Sequence, residues 1–123
     1  MTLYHFTCDH GRHALGTSGV VLPLAQWNPR AAARLTPERA AIARLSWFTD
    51  LDAAVRDALG LTSTALACDR TQFRYRVTAD PVPCLPWLLS PYRRGWMLDL
   101  ERAPGAMPRH WYVADTSVRV ELG

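Results

Sequence analysis

Alternation of apolar and polar residues along the chain predicts several short β-strands. The first, Leu3–Thr7, directs Tyr4 and Phe6 to one face of the strand and the odd-numbered side chains to the other. The same period of two recurs in Leu45–Asp50 and in Thr71–Asp80. The tail adds two strands that follow one another closely, RHWYVAD and SVRVEL, joined by Asp115–Thr116.

Helical spacing of apolar residues predicts two or three short helices. The segment Asn28–Arg44 is mostly helical by this criterion, and Pro29 and Pro37 divide it. We expect Thr36 to cap the second part, because a threonine hydroxyl accepts a hydrogen bond from the first turn and proline suits the first helical position.

A further helix is predicted directly after Asp50, where acidic residues complement the helix dipole. Its apolar face would consist of Leu51, Ala54, Val55, Ala58 and Leu59, with Gly60 at its end. The prolines between Pro81 and Pro91 predict a loop or an edge strand there.

Length and composition indicate one folded domain over residues 1–123. The chain is 49% hydrophobic and 20% charged, as in ordinary globular proteins. All 14 basic residues are arginine, which is typical of a G+C-rich genome, so the arginine count alone does not indicate nucleic-acid binding. A net charge of +3 permits an anionic partner without requiring one.

The three cysteines form no disulfide framework. Cys8, Cys68 and Cys84 are an odd, sparse set without a Cys-x-x-Cys motif, which suggests a reducing compartment. Cys8 lies near His10 and His13, but no second ligand pair follows, so we expect no metal site. No signal peptide is recognised, and no apolar stretch approaches the ~20 residues of a membrane helix, so the expected location is the cytoplasm, without a membrane partner.

Several enzyme motifs are absent from the sequence. It has neither a phosphate-binding loop ending in Lys-Ser/Thr nor a Gly-x-Ser-x-Gly elbow, and no paired-carboxylate arrangement is visible. The unusual feature is His5, because an imidazole inside a strand needs partners for two nitrogens. His5 is therefore either a satisfied structural histidine or part of a site.

Three segments, in this order, resemble the ADP-ribosyltransferase superfamily, particularly the branch with diphtheria toxin and the poly(ADP-ribose) polymerases. They are Tyr-His-Phe-Thr (4–7), Trp-Phe-Thr-Asp (47–50) and His-Trp-Tyr-Val (110–113). That branch has a first-strand histidine two residues before Ser or Thr, an aromatic strand leading into a helix, and a late strand that starts with a catalytic glutamate. The resemblance implies a small α+β domain whose two short, mostly antiparallel sheets form a cleft for NAD.

Site residues follow from the resemblance position by position. His5 would hold the NAD ribose with support from Thr7, and the backbone of Phe6 would bind the nicotinamide amide, although the family has glycine there. Trp47 or Phe48 would stack on the nicotinamide. The full set of implied NAD contacts is Tyr4, Phe6, Thr7, Trp47, Phe48, Thr49 and Tyr75, of which Trp47 and Tyr75 could instead be core residues.

The late strand departs from the family, because His110 stands at the place of the glutamate. A carboxylate there stabilises the positive charge that develops on the ribose when the nicotinamide bond breaks. The nearest glutamates, Glu101 and Glu121, do not match the motif. RNA 2′-phosphotransferases share the wider fold, lack the glutamate and handle a phosphate with Arg and His, a role open here to Arg70, Arg74 or Arg76.

The catalytic residues implied are therefore His5, His110 and Arg70. The expected function is NAD-dependent ADP-ribosyl transfer to a nucleic acid or a protein, in a bacterial or phage effector or toxin. Two alternatives stay open: an RNA 2′-phosphotransferase-like activity, and a catalytically silent module that binds a nucleotide or a partner. The basic segment Arg30–Arg44 is either a solvated face or a track for a nucleic-acid backbone.

Overall fold

The computed structural model describes residues 1–15, 19–53, 55, 58–59 and 70–123 and shows a small α+β domain. Its sheet is antiparallel throughout, and its seven strands lie in the order β2-β7-β4-β1-β3-β6-β5. The strands are β1 (Tyr4–Thr7), β2 (Val20–Val21), β3 (Ser46–Thr49), β4 (Phe73–Val77), β5 (Leu85–Pro86), β6 (Trp111–Ala114) and β7 (Val118–Leu122).

The sheet curls into a half-barrel, and the short link between β6 and β7 explains why. Three other strands separate β6 from β7, so in a flat sheet they would lie about 19 Å apart at about 4.8 Å per step. The chain from Ala114 to Val118 can span only about 14 Å. The sheet must therefore bend until its distant strands approach each other.

One expectation about the sheet is wrong in consequence. The structure has one seven-stranded sheet in place of two short sheets that form a cleft. The two C-terminal strands are close in the chain but do not pair with each other, because β6 pairs with β3 and β5 whereas β7 pairs with β2 and β4. The segment between Pro81 and Pro91, predicted as a loop or an edge strand, contains the edge strand β5 at the end of the sheet.

Four α-helices are seen in the described ranges: α1 (Asp9–Leu15), α2 (Leu24–Trp27), α3 (Pro29–Ala33) and α4 (Pro37–Ala43). Thr36 caps α4 as predicted, since its hydroxyl accepts a hydrogen bond from the Arg39 backbone N–H at 3.4 Å. Three 3-10 helices follow, at Trp87–Leu89, Gly95–Arg102 and Pro108–His110. Across these described segments no helix is long and apolar enough to cross a membrane.

The helix predicted after Asp50 does not form in the residues that the structure describes. Leu51–Ala53, Val55 and Ala58–Leu59 adopt bends, turns or irregular backbone, and Val55 is 51% exposed. Ala54 and Gly60 lie outside the described residues. Tertiary hydrogen bonds hold this segment instead, because the Arg74 guanidinium donates to the Asp52 carbonyl oxygen at 2.8 Å.

Two hydrophobic clusters lie on opposite faces of the sheet. The concave face holds the larger cluster, which gathers residues from five strands, Leu3 just before β1 and Leu15 of α1. The convex face carries the second cluster, between β3 and β6 on one side and α4 and the 3-10 helices on the other. Its buried members are Leu45, Trp87, Met97, Trp111 and Val113.

Trp87 is the centre of the convex cluster. It is fully buried, and its ring lies 5.1 Å from that of Trp47 and 6.4 Å from that of Trp111, measured between centroids. Its indole Nε1–H donates to Glu101 Oε2 at 3.0 Å. Arg93 donates two hydrogen bonds to the same carboxylate, and these hold the pKa of Glu101 below its usual value.

Replacing Trp87 by phenylalanine tests how much the Trp87–Glu101 hydrogen bond stabilises the convex cluster. Trp87→Phe keeps an aromatic ring but removes the donor to a charged acceptor, so the free energy of unfolding should fall by roughly 1–3 kcal/mol. Leu89→Ala, in the same 3-10 helix but 82% exposed, is the control and should change stability by no more than about 0.5 kcal/mol. Urea unfolding measures both, and an equal loss in the two variants would contradict this account.

Candidate functional site

The three segments that carry the resemblance lie side by side in the folded chain. β1 pairs with β3, and β3 pairs with β6, so β3 joins the first and the last of these segments, which are more than a hundred residues apart in the chain. Tyr4 is opposite Thr49, and Thr49 is opposite Trp111, which places these three residues in one row across the sheet. Asp50 and His110 follow at the same end of the strands.

The predicted NAD contacts divide between the two faces of the sheet. Residues directly opposite on antiparallel strands share a face, and neighbours along a strand alternate. The pairing therefore assigns His5, Thr7, Phe48 and Tyr75 to the concave face, and Tyr4, Phe6, Trp47 and Thr49 to the convex face. One bound ligand cannot contact all of these side chains.

The convex group lines a small pocket together with Phe48, Leu59 and Trp111. Its volume is about 50 Å³, close to that of one or two water molecules at ~30 Å³ each. The Arg74 guanidinium lies over the Tyr4 ring, 4.8 Å from its centroid, and forms one side of this aromatic surface. An aromatic ring can enter only if a lining side chain moves.

His5 is a satisfied histidine of the concave face. Its Nδ1–H donates to the Trp47 carbonyl oxygen at 2.8 Å, and its ring packs 5.4 Å from that of Phe48, between centroids. Part of the residue remains exposed, yet the imidazole is enclosed, and this burial lowers the pKa of His5 to about 4, with a further lowering by the charge of Arg70. His5 is thus neutral at physiological pH.

The other concave residues are core residues. Thr7 is 3% exposed and lies directly beneath α1, where a side chain at Gly11 would collide with the Thr7 hydroxyl. Tyr75 is opposite His5 in β4 and is 8% exposed, and Phe48 is 3% exposed. Packing against the half-barrel interior accounts for these three residues without a ligand.

A carboxylate–imidazole pair lies at the strand ends, next to the row of Tyr4, Thr49 and Trp111. His110 Nδ1–H donates to Asp50 Oδ1 at 2.6 Å, and His110 Nε2 accepts from Arg109 Nε–H at 3.2 Å. These two bonds fix the orientation of the imidazole between the Asp50 carboxylate and the Arg109 guanidinium. Both side chains are about one quarter exposed, so the pair is accessible to a ligand.

The Asp50 carboxylate also acts on Tyr112. Burial raises the pKa of the Tyr112 hydroxyl, and the nearby charge and hydrogen bonding of Asp50 raise it further. The same hydroxyl donates to Met1 Sδ at 3.3 Å. Asp50 thus provides negative charge at the end of β3, between His110 on one side and Tyr112 on the other.

His5 and His110 do not contact each other, because β3 lies between their strands and each imidazole has its own partner.

The three arginines considered for phosphate binding are dispersed. Arg76 pairs with Glu121, and Arg74 donates to the Asp52 and Gly123 carbonyl oxygens. Arg70 is exposed and is connected to the site through its charge effect on His5.

Two residues of the candidate site were not predicted in this role. Asp50 was assigned to a helix start, and Trp111 was noted only as part of a motif. Their roles depend on the pairing of β3 with β6, which the sequence does not reveal. The one sequence signal for a role of Asp50 is its position directly after the strand, in Trp-Phe-Thr-Asp.

Among the described residues, no group of three His, Cys, Asp or Glu side chains could hold a metal ion.

Comparison of the chain with models of protein families, with curated proteins and with solved structures found no match. The assignment of a function therefore depends on the geometry of the chain itself.

The neutral state of His5 predicts a pH-dependent stability. Between pH 6.5 and about 4 the unfolded chain binds a proton at His5 that the folded chain does not, so the free energy of unfolding falls as the pH falls. The loss reaches at most about 3 kcal/mol. His5→Gln keeps an N–H donor for the Trp47 carbonyl but cannot titrate, so this part of the pH dependence should vanish.

Urea unfolding at several pH values measures the effect. His13→Gln, in the exposed part of α1, is the control and should retain the wild-type pH dependence. An unchanged pH dependence in His5→Gln would show that His5 is not held neutral.

Proposed function

We propose that the chain is an ADP-ribosyltransferase-type domain that binds NAD at the strand ends of β1, β3 and β6 and transfers ADP-ribose to an acceptor. The observation that carries this proposal is the Asp50–His110 pair, at 2.6 Å, in the row next to Tyr4, Thr49 and Trp111. The pair supplies a carboxylate and an imidazole, and the aromatic residues of the convex pocket lie in the adjoining row.

The Asp50 carboxylate would supply the negative charge that is missing at position 110, where the resembled family has a glutamate. Cleavage of the bond between nicotinamide and ribose develops positive charge on the ribose, and a fixed negative group nearby lowers the barrier. His110 stands in the place of the family glutamate, and an imidazole supplies no negative charge. Asp50 lies within hydrogen-bonding distance of that imidazole, so it would supply the charge while His110 orients it.

The aromatic surface suits the nicotinamide. Planar rings stack on Trp and Tyr, and Trp47, Trp111 and Tyr4 all line the convex pocket. At about 50 Å³ the pocket is too small for the ring, so binding requires a movement of Phe6 or Leu59 at its edge. Phe6 occupies the position of the family glycine, which makes its ring the obstacle to consider first.

A second candidate function is nucleotide binding without cleavage. The small volume of the convex pocket and the bond of His5 to the Trp47 carbonyl favour binding without cleavage. Both leave fewer of the contacts through which the resembled family binds NAD. The 2′-phosphotransferase alternative gains no such support, since Arg74 and Arg76 are engaged elsewhere.

Incubation with NAD, followed by measurement of released nicotinamide, tests the proposal. Asp50→Asn removes the negative charge but keeps the shape, so the release rate should fall by about 100-fold or more. Asp52→Asn is the matched control, because Asp52 is exposed two residues further along and, in the described part of the chain, accepts a hydrogen bond at its backbone carbonyl, which the substitution keeps. Its rate should equal that of the wild type.

The outcomes separate the two candidate functions. NAD that raises the melting temperature but is never cleaved would support the silent module. Absence of both cleavage and thermal stabilisation would overturn NAD binding altogether. Equal rates in Asp50→Asn and wild type would refute the role of the carboxylate.

A further inference from the structure

A second, larger pocket lies apart from the residues of the proposed NAD site. It has a volume of about 440 Å³, within the usual range of ~300–1,000 Å³ for small-ligand sites. The C-terminal end of α4 forms one wall with Arg44 and Leu45, and the segment from Tyr92 to Met97 forms the other. None of the residues that resemble the transferase family lines it.

The charged residues of this pocket are both arginines, Arg44 and Arg94. Both are exposed, and neither forms an ion pair with any carboxylate in the described part of the chain. The contrast with the neighbouring Arg93 is informative, because Arg93 is bound to Glu101 through two hydrogen bonds. The pocket therefore presents two uncompensated guanidinium groups, which bind phosphate oxygens in fork geometry.

Aromatic side chains provide the rest of the recognition surface. Trp96 and Tyr92 line the pocket and are half-buried, so each exposes part of its ring. Tyr92 is held in place because its hydroxyl donates to Asp115 Oδ2 at 2.6 Å. A cationic rim around aromatic rings is the arrangement that binds a nucleotide, with the base stacked and the phosphate paired.

The segment from Asn28 to Arg44 is itself rich in arginine. Arginines at positions 30, 34 and 39 are exposed, and Glu38 is the one acidic residue between positions 28 and 45. None of these arginines has an ion-pair partner among the residues described. Several exposed cations within one short segment match a chain of phosphates better than they match one free nucleotide.

We propose that this pocket binds single-stranded nucleic acid, with one base on Trp96 and the adjoining phosphates on Arg44 and Arg94. The inference deepens the proposed function by naming nucleic acid as the acceptor class, and it rests on that function only for the transfer of ADP-ribose. Binding itself needs no NAD, so it can be measured separately.

Fluorescence anisotropy with a labelled mixed-sequence single-stranded oligonucleotide, in the absence of NAD, tests the proposal. Arg44→Ala and Arg94→Ala should each weaken binding by several-fold to about tenfold and reduce the salt dependence, the slope of log K against log salt, by about 0.7. Arg119→Ala on β7 removes the same charge elsewhere and should change neither quantity. Equal weakening in all three variants would overturn the site in favour of non-specific charge attraction.

Stacking is tested with Trp96→Leu, which keeps an apolar side chain but removes the flat ring. Binding should weaken by about tenfold or more while the salt slope stays unchanged. Far-ultraviolet circular dichroism and the melting temperature confirm that the variant folds, and Trp96→Phe, which retains a ring, should recover most of the affinity. Failure of Trp96→Phe to recover binding would contradict stacking.

Competition with unlabelled compounds distinguishes single-stranded nucleic acid from a free nucleotide and from an acidic peptide as the ligand. Unlabelled oligonucleotide should displace the probe at far lower concentration than AMP or poly-glutamate. Displacement by AMP at the same nucleotide concentration would indicate a free nucleotide site, and displacement by poly-glutamate would indicate a site for acidic peptides; either result overturns the proposal. Oligonucleotide binding without NAD cleavage would leave this inference standing while the proposed function fails.

Discussion

Three residues connect β6 to β7, although three other strands separate them in the sheet. This short link cannot span the distance between β6 and β7 in a flat sheet, so the sheet curls and has a concave and a convex face. The curl fixes the role of each residue of the central strands, because alternate side chains point to opposite faces. The link is itself held in place, since Asp115 accepts hydrogen bonds from Gln26 at its carbonyl and from Tyr92 at its carboxylate.

The division into two faces explains which sequence-based predictions survive. The strands β1, β3 and β4 and the capped helix α4 follow from local patterns, and the structure confirms them. The alternation of Trp47 and Phe48 was also correct. A local pattern does not, however, say which face is enclosed, and His5 therefore looked like a ligand contact until the curl placed it against Phe48 and the Trp47 carbonyl.

Long-range contacts account for the remaining differences. The pattern after Asp50 predicts a helix, but Arg74, which is 22 residues away from Asp52, holds its backbone in a bend. The Asp50–His110 pair joins residues 60 positions apart, and only the pairing of β3 with β6 brings them together. Both interactions depend on strand order, which single-sequence patterns do not encode.

The two proposed sites have complementary electrostatics. The strand-end site offers one carboxylate beside an imidazole, which suits a developing positive charge on a sugar. The pocket between α4 and the Gly95–Arg102 segment offers two arginines without an ion-pair partner in the described ranges, and these suit phosphates. The convex pocket of the first site and the second pocket both border the convex cluster around Trp87, with Trp47 and Trp111 at the former and Trp96 at the latter. The Asp50 carboxylate acts in addition on Tyr112 of the concave cluster.

Mapping of the NAD site by nuclear magnetic resonance tests the central claim most directly. Titration of the isotope-labelled protein with NAD should shift the backbone amides of Thr49, Asp50 and Trp111, together with the Trp47 and Trp111 indole signals. Residues of the second pocket, such as Arg44 and Gly95, should remain unchanged. Shifts confined to that second pocket, or no shifts at all, would contradict an NAD site at the strand ends of β1, β3 and β6.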